Sequence, residues 1–323
     1  MKPIMKSLHR QIPLSLSLLL ALQCQPGRCQ TPKVVLPNGQ IFVADFASGK
    51  IGEYSLSGSP LNASLVSGLT TPVGLASDGS GHLFVANGNG TSVGEYTTSG
   101  GVVDPALISG LIDPWNLALD GNGHLFVSSL GPLSGNGTIG EYTTSGAGVA
   151  PFLITGLQSP TSLALDGLGH IFVTDGINGS IAEYTTAGAL VNPALISGLH
   201  NPQGIALDGL GNLFVANRGT GTVGEYTTSG TVVKAALISG LNGPHGLTVA
   251  GNGHLYLSEG GAGSIGEYTT SGDTVNAQLV TGLVTPEGIV IVPEPSIAVL
   301  MLVGAVACVL RHCVLRHSRW GSH

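Results

Sequence analysis

The dipeptide Glu-Tyr recurs six times along this chain at nearly constant spacing. The copies begin at Glu53, Glu95, Glu141, Glu183, Glu225 and Glu267, so the successive steps are 42, 46, 42, 42 and 42 residues. A period of about 40 to 50 residues is typical of one supersecondary unit repeated in series, such as a propeller blade. The repeat therefore constrains the architecture more than any single residue does.

One repeat, residues 200–241, contains four short apolar runs of strand length, at 204–207, 213–216, 222–226 and 236–238. Turn residues such as Asp208-Gly209 separate these runs, and glycine adopts the positive φ of tight turns at little steric cost. No segment of the repeat has the length or the period of a helix. Each repeat is therefore expected to form four antiparallel strands.

Six such repeats begin near residues 34, 70, 112, 158, 200 and 242, and residues 285–292 repeat only the opening strand. A single four-stranded sheet cannot bury its faces alone, so the repeats must pack together and close a ring. We predict an all-β fold, a six-bladed β-propeller of four-stranded antiparallel blades whose ring is closed by the C-terminal strand. The sequence leaves open whether residues 34–36 or 289–292 are innermost in the first blade, and a linear β array is the alternative.

The repeat has a recognisable pattern in residues 202–217: a proline, then Gly-Ile-Ala-Leu-Asp, then Gly-Asn-Leu-Phe-Val-Ala-Asn. This pattern resembles the NHL family of propellers, and the resemblance covers residues 38–292. We therefore assign residues 31–292 to an NHL-like β-propeller domain. Similar patterns occur in sugar-lactonase-like and streptogramin-lyase-like propellers, so the resemblance predicts the fold rather than the function.

Residues 1–30 have the features of a secretion signal peptide. Lys2, Lys6 and Arg10 precede an apolar stretch at 12–22 that is too short to span a bilayer comfortably. Lipid modification at Cys24 is a less favoured alternative. The sequence thus predicts an exported protein.

The C-terminal segment, residues 293–323, has three parts in order: Pro293, Glu294 and Pro295, then an apolar run at 297–310, then a basic tail. This segment resembles the PEP-CTERM sorting signal of Gram-negative bacteria, with Pro293, Glu294 and Pro295 as the sorting motif. The resemblance implies recognition by an exosortase-type sorting enzyme and transient membrane association through the C-terminal segment. It also implies delivery to the cell envelope, outer surface or extracellular matrix of a Gram-negative-type bacterium. A plain C-terminal membrane anchor is the alternative.

Charge and cysteine content exclude several classes of function. Residues 31–296 contain four Lys or Arg and all 18 Asp and Glu, so their net charge is 4 − 18 = −14. Nucleic-acid binding requires neutralisation of phosphates, so we predict no nucleic-acid partner. The four cysteines lie at 24, 29, 308 and 313, which predicts a propeller without disulfides, thiolate metal sites or a cysteine nucleophile.

Comparison of the repeats with one another separates structural positions from candidate functional ones. The Glu-Tyr pair is kept in every repeat and is interpreted as structural. The turn residues Asp78, Asp120, Asp166, Asp208, His82, His124, His170 and His254 are interpreted as turn and inter-blade hydrogen-bonding residues. The residue after the recurring proline varies instead: Val73, Trp115, Thr161, Gln203, His245 and Glu287. It should begin the innermost strand at one mouth of the channel, on the face where the variable loops lie, and we expect this face to bind ligands.

Ring closure should bring four ionisable residues of this face together. His245 and Glu259 belong to the sixth repeat, Glu287 begins the closing strand, and Asp45 ends the strand beside it. Oxygen-rich ligand sets of this kind bind Ca²⁺ or Mg²⁺, with Asp45, Glu259 and Glu287 as the metal ligands. His245 is the candidate catalytic base of a lactone hydrolysis or lyase step. The alternative is that these are solvated rim residues.

The candidate ligand-binding residues are Trp115, Asn116, Gln203, Arg218 and His245. Trp115 and Asn116 form a potential sugar-stacking platform, although Trp115 could instead pack at the rim. Because the repeats are regular and ionisable residues are sparse, we favour a non-enzymatic surface or matrix propeller. It would act as a binding or scaffold module for an extracellular polysaccharide or a surface protein. The competing hypothesis is a secreted metal-dependent enzyme, lactonase-like or streptogramin-lyase-like.

Overall fold

The computed structural model describes residues 39–133 and 135–293. The predicted signal peptide, residues 34–36, the four cysteines, Glu294, Pro295 and the tail lie outside the described residues. Within the described part of the chain, no helix is long and apolar enough to cross a membrane.

The described residues fold into twenty-four β-strands. The first eight are β1 (Gly39–Asp45), β2 (Lys50–Ser55), β3 (Pro60–Ser67), β4 (Pro72–Ser77), β5 (His82–Asn87), β6 (Ser92–Thr97), β7 (Val102–Ser109) and β8 (Pro114–Leu119). The next eight are β9 (His124–Ser129), β10 (Gly137–Thr143), β11 (Gly148–Leu157), β12 (Pro160–Leu165), β13 (His170–Asp175), β14 (Ser180–Thr185), β15 (Leu190–Ser197) and β16 (Pro202–Leu207). The last eight are β17 (Asn212–Asn217), β18 (Thr222–Thr227), β19 (Val232–Ser239), β20 (Pro244–Val249), β21 (His254–Glu259), β22 (Ser264–Thr269), β23 (Thr274–Thr281) and β24 (Pro286–Pro293).

These strands form six antiparallel four-stranded sheets. Five sheets each use four consecutive strands, whereas the first has the order β24-β1-β2-β3. The innermost strands contact one another in a closed cycle, β24 to β4, β8, β12, β16, β20 and back to β24. The predicted six-bladed propeller, closed by its C-terminal strand, is therefore confirmed, and the linear array is wrong. Residues 286–293 are innermost in the first blade.

The hydrophobic core lies between the blades rather than within any one of them. The second strands of the blades contribute one fully buried aromatic ring each: Phe42, Phe84, Phe126, Phe172, Phe214 and Tyr256. Each of the six core clusters combines side chains of two neighbouring blades; Phe214 of one blade, for example, packs in the same cluster as Tyr268 of the next. Burial of these side chains joins successive blades and stabilises the closed ring.

The Glu-Tyr pair owes its recurrence to this inter-blade packing. Five of the six tyrosines are buried, and each of those five lies over a glycine two residues earlier in its strand. At Gly224, a Cβ would lie 2.7 Å from Cε2 of Tyr226. The fourth blade has Ala182 in place of the glycine, and its Tyr184 is only partly buried. The structural interpretation of the Glu-Tyr pair is therefore supported.

Gly224→Ala is expected to lower the free energy of unfolding by about 1–3 kcal/mol, because the added methyl group must displace the Tyr226 ring from its packed position. Urea unfolding followed by tyrosine fluorescence measures this change. Ala182→Gly is the matched control, because the fourth blade already accommodates a methyl group there. Equal stability of Gly224→Ala and the native chain would show that the glycine is not required by the ring.

The Asp-Gly turns lie on the face opposite the proline that begins each inner strand. Asp166 Oδ1 accepts hydrogen bonds from the amides of Leu168 (2.7 Å) and His170 (3.0 Å), and its Oδ2 lies 2.7 Å from Nδ1 of His170. Asp78, Asp120 and Asp208 accept equivalent backbone bonds. The turn interpretation is confirmed, but the inter-blade part of it is wrong. All these bonds stay within one blade, because each carboxylate is closest to the amides of its own turn.

His170→Asn is expected to remove a small pH dependence of stability. The hydrogen bond with Asp166 raises the pKa of His170. Burial favours the protonated form of Asp166, but its hydrogen bonds with His170 and Leu168 outweigh burial and lower its pKa. A raised histidine pKa contributes stability below the unfolded pKa of about 6.5, and that stability is lost as pH rises through the folded pKa.

Because the His170 side chain is 38% exposed, the expected loss between pH 5.5 and 8.5 is only about 0.3–0.5 kcal/mol. The measurement compares urea unfolding of the native chain and the variant at both pH values. Asparagine fits this position, because the equivalent residue of the fifth blade is Asn212, whose Nδ2 donates to Asp208 Oδ2 at 2.6 Å. An unchanged pH dependence in the variant would assign the effect to other groups.

Candidate functional site

The six innermost strands enclose a central channel with a volume of about 310 Å³. Each strand begins at a buried proline, and the next residue lies on the channel wall. The structure places all six variable residues there: Val73, Trp115, Thr161, Gln203, His245 and Glu287. The positions that break the repeat pattern thus form one ring at the mouth of the channel, which we call the mouth ring.

His245 and Glu287 form a buried pair within the mouth ring. Nδ1 of His245 faces Oε2 of Glu287 across the adjacent inner strands β20 and β24. The two residues are only 7% and 8% exposed. A carboxylate at Nδ1 favours the tautomer in which Nδ1 carries the proton and Nε2 is free to accept one. This is the arrangement of an imidazole held as a general base.

Ser258 holds the backbone behind this pair. Its hydroxyl accepts a hydrogen bond from the amide of Gly246 at 2.8 Å and lies 2.5 Å from the carbonyl oxygen of Glu287. Ser258 is fully buried, so it links β20 to β24 without reaching the channel. Ser258 was not predicted from the sequence, although the equivalent position carries alanine in three blades, for example Ala44 and Ala86.

The other residues at the channel mouth differ in how far their side chains are exposed to a ligand. Thr161 is buried, and its hydroxyl donates to the carbonyl oxygen of Pro202 at 2.7 Å. Trp115 and Asn116 are partly exposed, and their side chains form no hydrogen bond with any residue in the described ranges. Gln203 is also partly exposed and donates from Nε2 to Oδ1 of Asn201 at 2.6 Å. Trp115, Asn116 and Gln203 therefore present accessible polar and aromatic surface.

Asp45 and Glu259 anchor the backbone at blade junctions. The carboxylate of Asp45 accepts hydrogen bonds from the amides of Val284 (3.0 Å) and Thr285 (2.8 Å). Glu259 Oε2 accepts one from the amide of Asn242 at 2.8 Å. Burial, together with the charge of Glu259 and a hydrogen bond to it, raises the pKa of Tyr268 to about 12.

The structure thus brings His245 and Glu287 together but does not gather the three predicted metal ligands, Asp45, Glu259 and Glu287, into one site. Across residues 39–133 and 135–293, no group of three or more His, Cys, Asp or Glu could hold a metal ion. Since Ca²⁺ takes six to eight oxygen ligands, the side chains as placed do not fit a complete protein-built site. The Ca²⁺ or Mg²⁺ site stays a prediction.

Arg218 lies on a loop of the same face rather than on the channel wall. Its side chain is exposed, and its amide donates to the carbonyl oxygen of Asn201 at 3.1 Å. The loop is therefore attached to the segment that leads into Gln203. Of the five predicted ligand-binding residues, four line the channel and Arg218 does not.

The arrangement of repeats matches a known family over most of the chain. Residues 35–309 match the virginiamycin B lyase family. The chain belongs to the virginiamycin B lyase family. This membership agrees with the streptogramin-lyase-like pattern seen in the repeats. Comparison with curated protein sequences found no match.

Several solved structures have folds similar to that of this chain. A nidogen–laminin complex matches with a TM-score of 0.68 and 18% identity, covering 79% of this chain and 98% of that chain. A streptogramin B lyase structure has a TM-score of 0.60 and 21% identity, covering 79% and 88%. Virginiamycin B lyase from Staphylococcus aureus has a TM-score of 0.58 and 19% identity, covering 80% and 90%. At these identities the likeness shows the propeller fold alone.

Proposed function

We propose that this protein is an exported propeller that binds a glycan at the mouth of its channel, acting as a binding or scaffold module at the cell surface or in the extracellular matrix. The observation that carries the proposal is the mouth ring, where the residues that break the repeat line one channel. The opposite face repeats the same turns from blade to blade. A surface protein is the other ligand class predicted for this face. The signal-like and sorting-like ends of the chain support export and an exosortase-type partner.

The chemistry of the mouth ring suits a sugar. A channel of about 310 Å³ is at the small end of ligand pockets, so it would hold a sugar ring or a chain end rather than a folded partner. The partly exposed ring of Trp115 offers an aromatic face. The unpaired amide of Asn116 and the amide of Gln203 offer donors and acceptors for hydroxyl groups.

Trp115→Ala is expected to weaken glycan binding at least about tenfold, which corresponds to a loss of about 1.4 kcal/mol of binding free energy. A glycan array identifies ligands, and calorimetric titration measures their affinities for the native chain and the variant. Phe152→Ala is the control, because Phe152 is an aromatic residue of the same blade that is 76% exposed on the outer strand β11. Equal affinities for all three proteins would place the binding site elsewhere.

A second candidate function is catalysis by His245, favoured by the His245–Glu287 pair and by membership of the virginiamycin B lyase family. With Nδ1 bonded to Glu287, Nε2 could remove a proton in an elimination or activate water for opening of a cyclic ester. His245→Gln should then reduce turnover of a cyclic-ester substrate by about 10²–10⁴-fold.

The predicted metal is tested by titrating Ca²⁺ and Mg²⁺ into the native chain and Glu287→Ala. If the native chain shows no turnover with or without metal, catalysis is rejected and the binding function remains.

A further inference from the structure

We propose that the ligand at the mouth ring carries a carboxylate, as in a uronic-acid sugar, and that Arg218 binds this carboxylate. The inference rests on the proposed glycan-binding function and names the class of sugar. It is carried by the distribution of charge between the two faces and by the contacts of the Arg218 loop.

Acidic residues dominate the described chain, but those of the mouth face are already occupied. The described residues contain 17 Asp and Glu and only three Lys and Arg. On the mouth face, each carboxylate bonds a backbone amide or a histidine; these residues are Asp45, Asp113, Asp175, Glu259 and Glu287. Hydrogen bonds of this kind hold these carboxylates against the protein, while each carboxylate keeps its negative charge.

Most of the carboxylate charge lies away from the mouth face. The other 17 − 5 = 12 carboxylates of the described residues include five aspartates in turns of the opposite face, which accept hydrogen bonds of their own: Asp78, Asp120, Asp166, Asp208 and Asp273. Arg218 is on a mouth-face loop and Lys50 begins β2 at the same face, whereas Lys234 lies on the outer strand β19. Without the histidines, the formal charge of the mouth face is 2 − 5 = −3, against 1 − 12 = −11 for the rest of the described chain. An anion is therefore repelled least on the mouth face.

Among the described residues, the guanidinium of Arg218 has no competing partner. Within residues 39–133 and 135–293, every ion pair involves a histidine, and none involves Arg218. An exposed guanidinium presents planar paired donors that match a carboxylate. Arg218 is therefore free to make that contact with a ligand.

The Arg218 loop is held beside the donors of the fifth blade. Its backbone binds the preceding linker twice, from Arg218 to the carbonyl oxygen of Asn201 (3.1 Å) and from Gly219 to that of His200 (2.9 Å). Gln203 uses one amide hydrogen on Asn201 Oδ1, and its second remains for a ligand. The exposed His200 lies on the same linker. The Arg218 loop and the linker before β16 thus carry three kinds of donor: the guanidinium of Arg218, the amide of Gln203 and the imidazole of His200.

The fold does not require an arginine at position 218. The equivalent positions of the other blades are Phe46, Gly88, Leu130, Gly176 and Gly260. In three of the six blades this position is a glycine, so the loop forms without a side chain there. A ligand contact accounts for the arginine where blade packing does not.

The test is calorimetric titration of the full-length chain with tetragalacturonate and with its uncharged methyl ester, both in a metal chelator. We expect the native chain to bind the acid at least about tenfold more tightly than the ester. Arg218→Gln should lose this preference while keeping its affinity for the ester. Lys234→Gln, a charge-matched change on the outer strand of the same blade, should keep the preference.

Two results would overturn the inference while leaving the proposed function intact. One is equal affinity of the native chain for acid and ester, and the other is a preference for the acid that survives in Arg218→Gln. Failure of both probes to bind would also overturn it. In that case, binding of a neutral glycan that Trp115→Ala abolishes would still support the proposed function, and its absence would reject both.

Discussion

Gly204→Ala is expected to lower the free energy of unfolding by at least about 3 kcal/mol, the upper part of the range for overpacking a tight site. Gly204 lies on the inner strand β16, where a Cβ would collide with the carbonyl oxygen of His245 on β20. Backbone atoms cannot move aside as a flexible side chain can. The only relief is separation of two inner strands, which would loosen the closed ring.

Two other blades supply the control for this substitution. The position equivalent to Gly204 is Asn116 in the third blade and Ser162 in the fourth, so the inner strands tolerate side chains there. Ser162→Ala should therefore change stability by less than about 1 kcal/mol. Thermal unfolding followed by circular dichroism compares the two variants. Similar stabilities of Gly204→Ala and Ser162→Ala would show that the inner strands are less closely packed than the structure indicates.

Removal of β24 is expected to abolish cooperative unfolding. Ile289 and Val292 of this strand belong to the core clusters on both sides of the first blade. A chain that ends at residue 284 loses these side chains, exposes the inner edge of β1 and opens the ring. Closure of the ring is what buries the faces of the first and last blades, so both should become solvent-exposed.

The control for this truncation is a chain that ends at Pro293 and retains β24. Limited proteolysis and thermal unfolding should show a protected, cooperative propeller for the longer chain only. A single sharp transition at the same temperature in the chain ending at 284 would contradict the role of β24 in closure.

The repeat made the fold predictable because one blade pattern, copied six times, determines strand number, strand direction and ring closure together. The choice of innermost strand in the first blade was not predictable. Residues 34–36 and 289–292 are both apolar and of strand length, and only the pairing of β24 with β1 decides between them. Prediction from local pattern fails where two segments compete for one position in the ring.

The mouth ring was predictable for a related reason: positions that the blade does not demand are free to vary. The roles of Asp45 and Glu259 were not predictable, because the amides that they bind lie on linkers whose path the side-chain pattern does not encode. Ser258 was missed because a serine in an apolar strand resembles a neutral substitution for alanine. Only the structure shows its hydroxyl between β20 and β24.

Hydrogen–deuterium exchange of the full-length chain, with and without its best glycan ligand, tests the assignment of the mouth ring most directly. We expect added protection where the inner strands begin, at residues 114–117, 202–205, 244–247 and 286–289, and in the Arg218 loop. We expect no added protection in the turns of the opposite face, such as residues 166–170. Protection confined to those turns or to the outer strands would contradict a ligand site at the channel mouth.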